Sequence, residues 1–502
     1  MRRMKADVCV YGATPAGITA ACAVREAGKS VVLIEPGSRI GGMTAGGLGW
    51  TDLYHPDEVL KGRAREFYSR IARHYGEEGL KLTFEPKVAH KIFCGFLEEN
   101  GCIPVMNRRI VSVRKNGNRI CGIVLENSTA PDADSLAVEA KVFIDCSYEG
   151  DLLGRAGVSY TTGREPNSLY GETGNGAQMR AKHQFPDGVD PYVEKGNPDS
   201  GLLWGVMPGS PRQNGEGDGD IQAYNFRLTL TCDSANMIPV TRPENYDPSR
   251  YELLIRLKEV APWKSYKDCL KWSIMPGRKT DMNNQGAFST DMIGASRNYP
   301  EASYAERERM WKEHFDYTLG LLYFMWTDPR IPENIRRDLA RWGWPKDEYP
   351  ESGHITPQLY VRESRRMLGR MVMTQNHCEG RVVEPDTIAL ADYTMDSHNC
   401  GRYVVNGMVK NEGDVQIYIK NPYPVSYRAV TPRKDEAANL IVPVCLSASH
   451  IAFGSIRMEP VYMVLGETCG MAAVNAIDRH RGCVQDVDAA EVMRAFSARY
   501  PK

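Results

Sequence analysis

Three positions near the start of the chain constrain its fold more than any other feature. Gly12, Thr14 and Gly17 fill the glycine positions of a G-x-G-x-x-G turn, between a β-branched run from Ala6 to Tyr11 and a helix-forming segment from Ala16 to Ala27. In such a turn the first residue reverses the chain, the second lets backbone approach a pyrophosphate, and the third lets helix and strand pack closely. Pro15 and Ala16 lie at the helix start, whose unpaired N–H groups point at the anion. Thr14 departs from the pattern. Its side chain restricts close approach, and its hydroxyl offers a hydrogen bond to phosphate in return. A second strand, Ser30 to Glu35, ends on a carboxylate 18 residues after Gly17, where it can accept both ribose hydroxyls. The unit is βαβ, so a parallel sheet covered by helices is expected, and Glu35 favours FAD or NAD over a 2′-phosphorylated cofactor.

Length and charge narrow the class around this unit. The 502 residues allow two or three domains. Lys plus Arg is 62 and Asp plus Glu is 63, so no basic field points to nucleic acid or an anionic membrane. The most apolar long stretch, Val461 to Ile477, is interrupted by Glu467 and Asn475 and falls short of the roughly 20 apolar residues of a membrane span. The N-terminus passes directly into a strand pattern without a secretory core and cleavage site, which fits a cytoplasmic chain or one already processed. Thirteen cysteines, Cys269 among them, contain no CxxC pair. That absence argues against a zinc ribbon, a cysteine-ligated iron–sulfur cluster and a redox dithiol, and no metal site is expected.

Further along, Ile110 to Lys115 and Arg119 to Glu126 read as a hairpin across Asn116-Gly117-Asn118, followed by a strand at Ala140 to Ile144. Composition then shifts: seven of the eight tryptophans fall between residues 204 and 344. Within this region Gln222 to Thr231 reads as a strand, Thr280 to Asn284 as a polar loop, and Tyr304 to Phe324 as a helix. A basic helix carrying Arg362, Arg365, Arg366 and Arg370 follows, then a strand at Leu440 to Leu446 and a helix from about Pro460 to Ile477. The order predicts a dinucleotide-binding domain in two parts, 1–165 and 381–502, interrupted by an α+β substrate or cap domain over 166–380.

A second glycine-rich turn, Glu35-Pro36-Gly37-Ser38-Arg39-Ile40-Gly41-Gly42-Met43-Thr44-Ala45-Gly46-Gly47, follows the ribose acid. It resembles the glutathione-reductase-like class of FAD enzymes, in which this turn runs along the pyrophosphate toward the flavin. Longer blocks extend the likeness: Phe143 to Leu153, Gln222 to Arg227, Lys279 to Asn284, Tyr360 to Arg366, Met395 to His398 and Cys445 to Pro460. Together they resemble the bacterial FAD-dependent oxidoreductase family often labelled xanthan-lyase-like. The resemblance implies an α/β fold with a Rossmann-like FAD-binding domain.

It also implies roles. Gly12, Thr14, Pro15, Ala16, Gly17, Glu35, Pro36, Gly42, Met43, Thr44 and Gly47 would line the cofactor. Val111 would contact adenine through its backbone, and Cys146, Gly150 and Asp151 would form the second contacting segment. Ser455 to Glu459, Met458 included, would supply N–H groups around the start of the last long helix, with Pro460 in its first turn. Aimed at the pyrimidine end of the isoalloxazine, that terminus carries about half a positive charge, to which Arg457 would add a full one. His398 and His450 are the candidates for receiving a substrate proton near neutral pH. Asn225, Arg227, Asn283 and Asn284 are the expected substrate contacts.

No second strand-anchored G-x-G-x-x-G forms a separate nicotinamide domain. The expected function is therefore an FAD-dependent dehydrogenase or oxidase that takes a hydride directly from a small polar substrate, with sugars or sugar acids favoured. The residues leave the electron acceptor and the oligomeric state open. A redox-neutral flavin-dependent lyase, hydratase or isomerase, and a noncatalytic FAD-binding protein, are the competing readings.

Overall fold

The structure, a computed structural model, describes residues 2–268 and 270–500. Cys269 lies outside the described residues, and the other twelve cysteines are free thiols. Strand β1 (Arg2–Tyr11) leads through the Gly12 turn into α1 (Pro15–Glu26) and β2 (Val31–Ile34), which runs parallel to β1 with Tyr11 opposite Ile34. Val8 to Tyr11 are all buried, as expected of an interior parallel strand covered on both faces. After α2 (Gly62–His74) and α3 (Pro86–Glu99), β3 (Arg108–Asn116) and β4 (Arg119–Asn127) form the expected hairpin. Strand β5 (Ser135–Asp145) runs parallel to β1 along its length and antiparallel to β4 at its start. A short helix, α4 (Asp151–Arg155), follows.

The middle of the chain holds a second sheet, three antiparallel strands in the order β6 (Leu228–Thr231), β8 (Lys279–Asn283), β7 (Lys271–Met275). Helix α5 (Tyr304–Thr327) opens on a capping box. Ser303 Oγ accepts from Glu306 N, and the Glu306 carboxylate accepts from Ser303 N at 2.8 Å.

The last third returns to the first sheet. After the paired strands β9 (Met395–Ser397) and β10 (Val415–Ile417), β11 (Leu440–Ile441) joins β5 in parallel, beside Phe143 and Ile144. Two helices follow, α6 (His450–Ile456) and α7 (Glu459–Arg479), ahead of a final helix at Ala489–Arg499. Helix α1 is buried from Pro15 to Val24 because α7 covers the side turned away from the sheet. Thr19 Oγ1 donates to the Met463 carbonyl at 2.8 Å across that contact. The last long helix thereby sets its N-terminus near the turn that starts the first one.

Four local expectations are corrected. The Gln222 strand is only Leu228–Thr231: upstream, Ala223 N bonds the Asn399 carbonyl, Tyr224 N bonds Ser296 Oγ, and the Asn225 carbonyl accepts from Tyr360 N. These partners replace a ladder. Thr280 to Asn283 belong to β8 rather than to a loop, because β6 and β7 flank them and bury Thr280, Asp281 and Met282. The segment from Arg362 to Arg370 is extended, with a two-residue ladder at Arg366–Met367, not a basic helix. Its arginines point to separate buried partners: Arg362 to Asp291 at 3.0 Å, Arg365 to Asp151 at 3.0 Å, and Arg366 to Glu165 at 2.5 Å. Of the strand at Leu440 to Leu446, the ladder retains Leu440–Ile441. Among the described residues, no helix is long and apolar enough to cross a membrane.

Candidate active site

The turn between β1 and α1 is shaped by steric exclusion. Gly12 has φ +97°, and a Cβ there would stand 2.8 Å from the backbone of Cys146 and Ser147 at the end of β5; one on Gly17 would overlap the Gly12 carbonyl. Only glycine lets the three backbones meet. Thr14 caps α1, its Oγ1 accepting from Gly17 N at 3.4 Å and donating to the Cys146 carbonyl at 2.8 Å. The hydroxyl proton therefore ties the turn to β5, a correction to the expected bond to phosphate. Pro15 and Ala16 form the first turn of the helix, where N–H groups lack intrahelical partners. Cys146 is wholly buried, and burial pushes its thiol well up.

Glu35 stands at the end of β2. Its carboxylate accepts from Ala13 N at 2.8 Å and Gly37 N at 2.7 Å, which fixes it beside the turn. Burial raises it toward about 7 against those two donors. Pro36 follows directly. Val111 bulges from the β3–β4 ladder, its side chain 43 % exposed and its carbonyl bonded by Arg155 at 3.1 Å.

The second glycine-rich turn forms a short helix at Gly42–Ala45. Sequence reasoning passed over the group that holds it. The Glu459 carboxylate, at the first residue of α7, accepts from Thr44 Oγ1 at 2.8 Å and from Tyr148 Oη at 2.8 Å, and the same tyrosine oxygen accepts from Met43 N. Burial pushes Glu459 up to about 7, opposed by these donors. Gly42 and Met43 thus meet the post-β5 segment and the α7 start in one buried network. Gly47 packs against the Arg227 backbone. Gly150 carries φ +68° ahead of α4, but the Asp151 carboxylate turns away, paired with Arg307 at 2.9 Å and Arg365 at 3.0 Å. The carboxylate is engaged by the middle of the chain.

The α7 start also differs in detail from expectation. Ser455 lies inside α6, its Oγ accepting from Tyr423 Oη at 2.6 Å, and the N–H groups of Arg457 and Met458 are bonded to Phe453 and Ile456. Donors at this terminus therefore begin at Glu459. Arg457 does not pair with Glu459. Its guanidinium reaches Asp396 at 2.9 Å and Tyr360 Oη at 2.8 Å, and its Nε is buried without a partner.

Arg457 and Met458 line a cavity of about 570 Å³ that also collects Asp52, Arg227, Lys271, Asn283, Asn284, Tyr360, Tyr393, Asp396 and His398. These residues come from seven separate stretches of the chain. Three of the four expected substrate contacts line it; Asn225 is fully buried and bonds Asn283 and Thr290 instead. Arg227 is not free, since Asp281 holds it through Nε at 2.8 Å. His398 sits between two carboxylates, Nδ1 2.7 Å from Asp291 and Nε2 3.3 Å from Asp396. Burial and Arg362 push its pKa down, but the two carboxylates prevail and hold it above the ordinary imidazole range. Burial opposes the charge of Asp396 as well, yet His398, Arg457 and Arg362 hold it ionised well below the usual carboxylate range. His398 thus has both ring nitrogens held by carboxylates. His450 lies outside the cavity. Its ring nitrogens bond Glu363 at 2.7 Å and Ser397 at 2.9 Å, and burial pushes it down to about 3. A larger groove of about 1410 Å³, bordered by Arg63, Phe96 and Tyr500, contains none of the expected site residues.

The parallel βαβ unit, its glycine turn and the packing of α7 on α1 define an α/β protein with a Rossmann-like dinucleotide-binding fold. The model of the FAD dependent oxidoreductase family matches residues 7–496, and the chain belongs to that family. Its cofactor is FAD, and the backbone approach at Gly12 and Gly17 fits a pyrophosphate there. The chain is 30 % identical over 175 residues to the thiamine thiazole synthase of Methanothrix thermoacetophila, a match that takes in 34 % of this chain and 63 % of that enzyme. Among solved structures it is similar to Thermovibrio ammonificans THI4, with 22 % identity, TM-score 0.25, 32 % of this chain and 66 % of that one. It is also similar to the L-proline dehydrogenase of P. horikoshii, with 18 % identity, TM-score 0.20, and 33 % and 25 % of the two chains.

Proposed function

We propose that the protein is an FAD-dependent dehydrogenase or oxidase that removes a hydride from a small polar substrate held in the 570 Å³ cavity, with sugars and sugar acids the favoured class. The observation that carries this reading is the convergence of Arg457 and Met458, at the start of α7, with a polar cavity of small-molecule size. The chemistry supplied by bound FAD is two-electron acceptance. Residues 1–165 and 381–502 would hold it, and 166–380 would cover its reacting end.

The chain's own groups divide the remaining work. The turns at Gly12 to Gly17 and Gly41 to Gly47, with Glu35, would hold phosphate, ribose and the approach to the flavin. Arg457, kept charged and aimed by Asp396 and Tyr360, favours negative charge at the α7 end of the cavity. Asn283 and Asn284 offer carboxamides to hydroxyl groups, and Lys271 stands at the wall with no ion pair among the described residues. The FAD-loaded protein, mixed anaerobically with sugars, uronates, amines and hydroxy acids, should lose its oxidised flavin absorbance with at least one sugar or sugar acid. Failure of every compound to reduce the flavin would contradict the reading. Product formation without net oxidation, tested with an artificial acceptor, would instead support a redox-neutral flavin-dependent lyase, hydratase or isomerase.

A further inference from the structure

We propose that Asp52 is the group in the cavity that takes the substrate's proton, an inference that rests on the hydride-removal reading above. Removing hydrogen from an alcohol separates two particles. The C–H hydrogen leaves with its electron pair to the FAD the family carries, the O–H proton leaves alone, and a carbonyl remains. The proton needs an acceptor that is ionised, free and at the cavity wall.

Most candidates fail one of these conditions. His398 has both ring nitrogens engaged, by Asp291 and Asp396, and His450 is outside the cavity with both of its own engaged. Asp396 is held by Arg457 and His398. Asp281 is fully buried against Arg227. His183, also on the wall, is tied to Asp414 at 2.7 Å. Asp52 alone among the wall carboxylates has no side-chain hydrogen bond or ion pair to another described residue.

The segment that carries Asp52 is fixed on both sides. Trp50 N donates to the Asp281 carboxylate at 3.3 Å, Thr51 N to the Leu82 carbonyl at 3.0 Å, and Tyr54 N to Asp392 at 3.0 Å. An unsatisfied carboxylate on a pinned backbone is preorganised to accept rather than free to find another partner. The charged groups that face it are Arg227 just before β6, Lys271 from β7, Asp281 from β8 and Asp396 from β9. Burial raises Asp52 above the ordinary carboxylate range, Arg227 and Lys271 pull it down, and Asp281 and Asp396 push it up, with a net rise. That direction brings a carboxylate toward the pH at which a base works best.

The test uses FAD-loaded protein and two readouts. The visible absorbance of the bound flavin is titrated from acid to mildly alkaline pH in the wild type, Asp52→Asn and Asp57→Asn, the last an exposed carboxylate of the same loop region outside the cavity. The wild type and Asp57→Asn should show a pH-dependent step that Asp52→Asn lacks. Absence of the step in the wild type, or its survival in Asp52→Asn, overturns the proposal without any substrate. With a compound that reduces the wild-type flavin, Asp52→Asn should lower the reduction rate at least about 100-fold and remove the acid limb of its pH profile; Asp52→Glu should restore part of it. Reduction of Asp52→Asn at the wild-type rate overturns the role of Asp52, whereas a wild-type flavin that no compound reduces fails the dehydrogenase reading itself.

Discussion

The turn at Gly12 and the cavity at Arg457 are built from opposite materials. The turn is small, contiguous and nearly all main chain: Gly12, Thr14 and Gly17 meet the end of β5, and the Glu35 carboxylate is held by two backbone N–H groups. The cavity is assembled from polar and charged side chains distant in sequence: Arg457, Asp396 and His398 on its wall are linked in one chain of contacts to the buried Asp291 and Arg362. The difference teaches where each can fail. Backbone close approach fails by added volume, and a charge chain fails when one member is removed and its neighbour is left buried and unpaired.

Gly17→Val is the strongest way to break the comparison. Its side chain has no room beside the Gly12 carbonyl; a cost of about 3 kcal/mol or more and loss of bound FAD are expected. The ratio of flavin to protein absorbance after gel filtration measures it, and retained FAD would mean that the turn yields more easily than its packing implies.

Glu459 sharpens the contrast because it ties the second glycine-rich turn to the start of α7, next in sequence to Arg457 and Met458 of the cavity wall. Its folded pKa, raised to about 7 from 4.5, contributes stability that is full below pH 4.5 and lost as pH rises through about 7. Glu459→Gln removes that loss. Relative to wild type the variant should gain up to about 3 kcal/mol between these limits, read from urea midpoints across pH.

In the cavity, Arg457→Met should lower the flavin midpoint potential by about 30 mV or more, the equivalent of about 1.4 kcal/mol for a two-electron couple. An unchanged potential would remove Arg457 from the flavin's surroundings. The smallest effect is expected back at the turn. Thr14→Ala deletes a helix cap and the bond to Cys146, at a cost of about 1 kcal/mol by thermal denaturation.

The same contrast explains what could be read from the residues. The Gly12 turn, α1, β2, the β3–β4 hairpin and α7 were legible because each is decided by neighbours in sequence: turn residues, periodicity, and a proline at the helix start. The Gln222 and Arg362 segments were not. Their conformations are set by partners such as Asn399, Ser296, Asp291 and Glu165, which no local pattern reveals. At the site, His398 was found through its block, but the carboxylates that hold its ring nitrogens come from residues 291 and 396. Tyr148 and Glu459 went unread because a buried tyrosine and a helix-start acid have no motif of their own. The only signal for Asp52 was an acid five residues beyond Gly47.

A crystal structure of the FAD-loaded protein tests the joining of the two regions most directly. The account predicts the pyrophosphate at Gly12 to Gly17 and the isoalloxazine between the Gly42–Gly47 turn and the start of α7, one face open to the cavity that holds Arg457 and Asp52. An isoalloxazine lying away from that cavity, for instance in the groove bordered by Arg63, Phe96 and Tyr500, would contradict it.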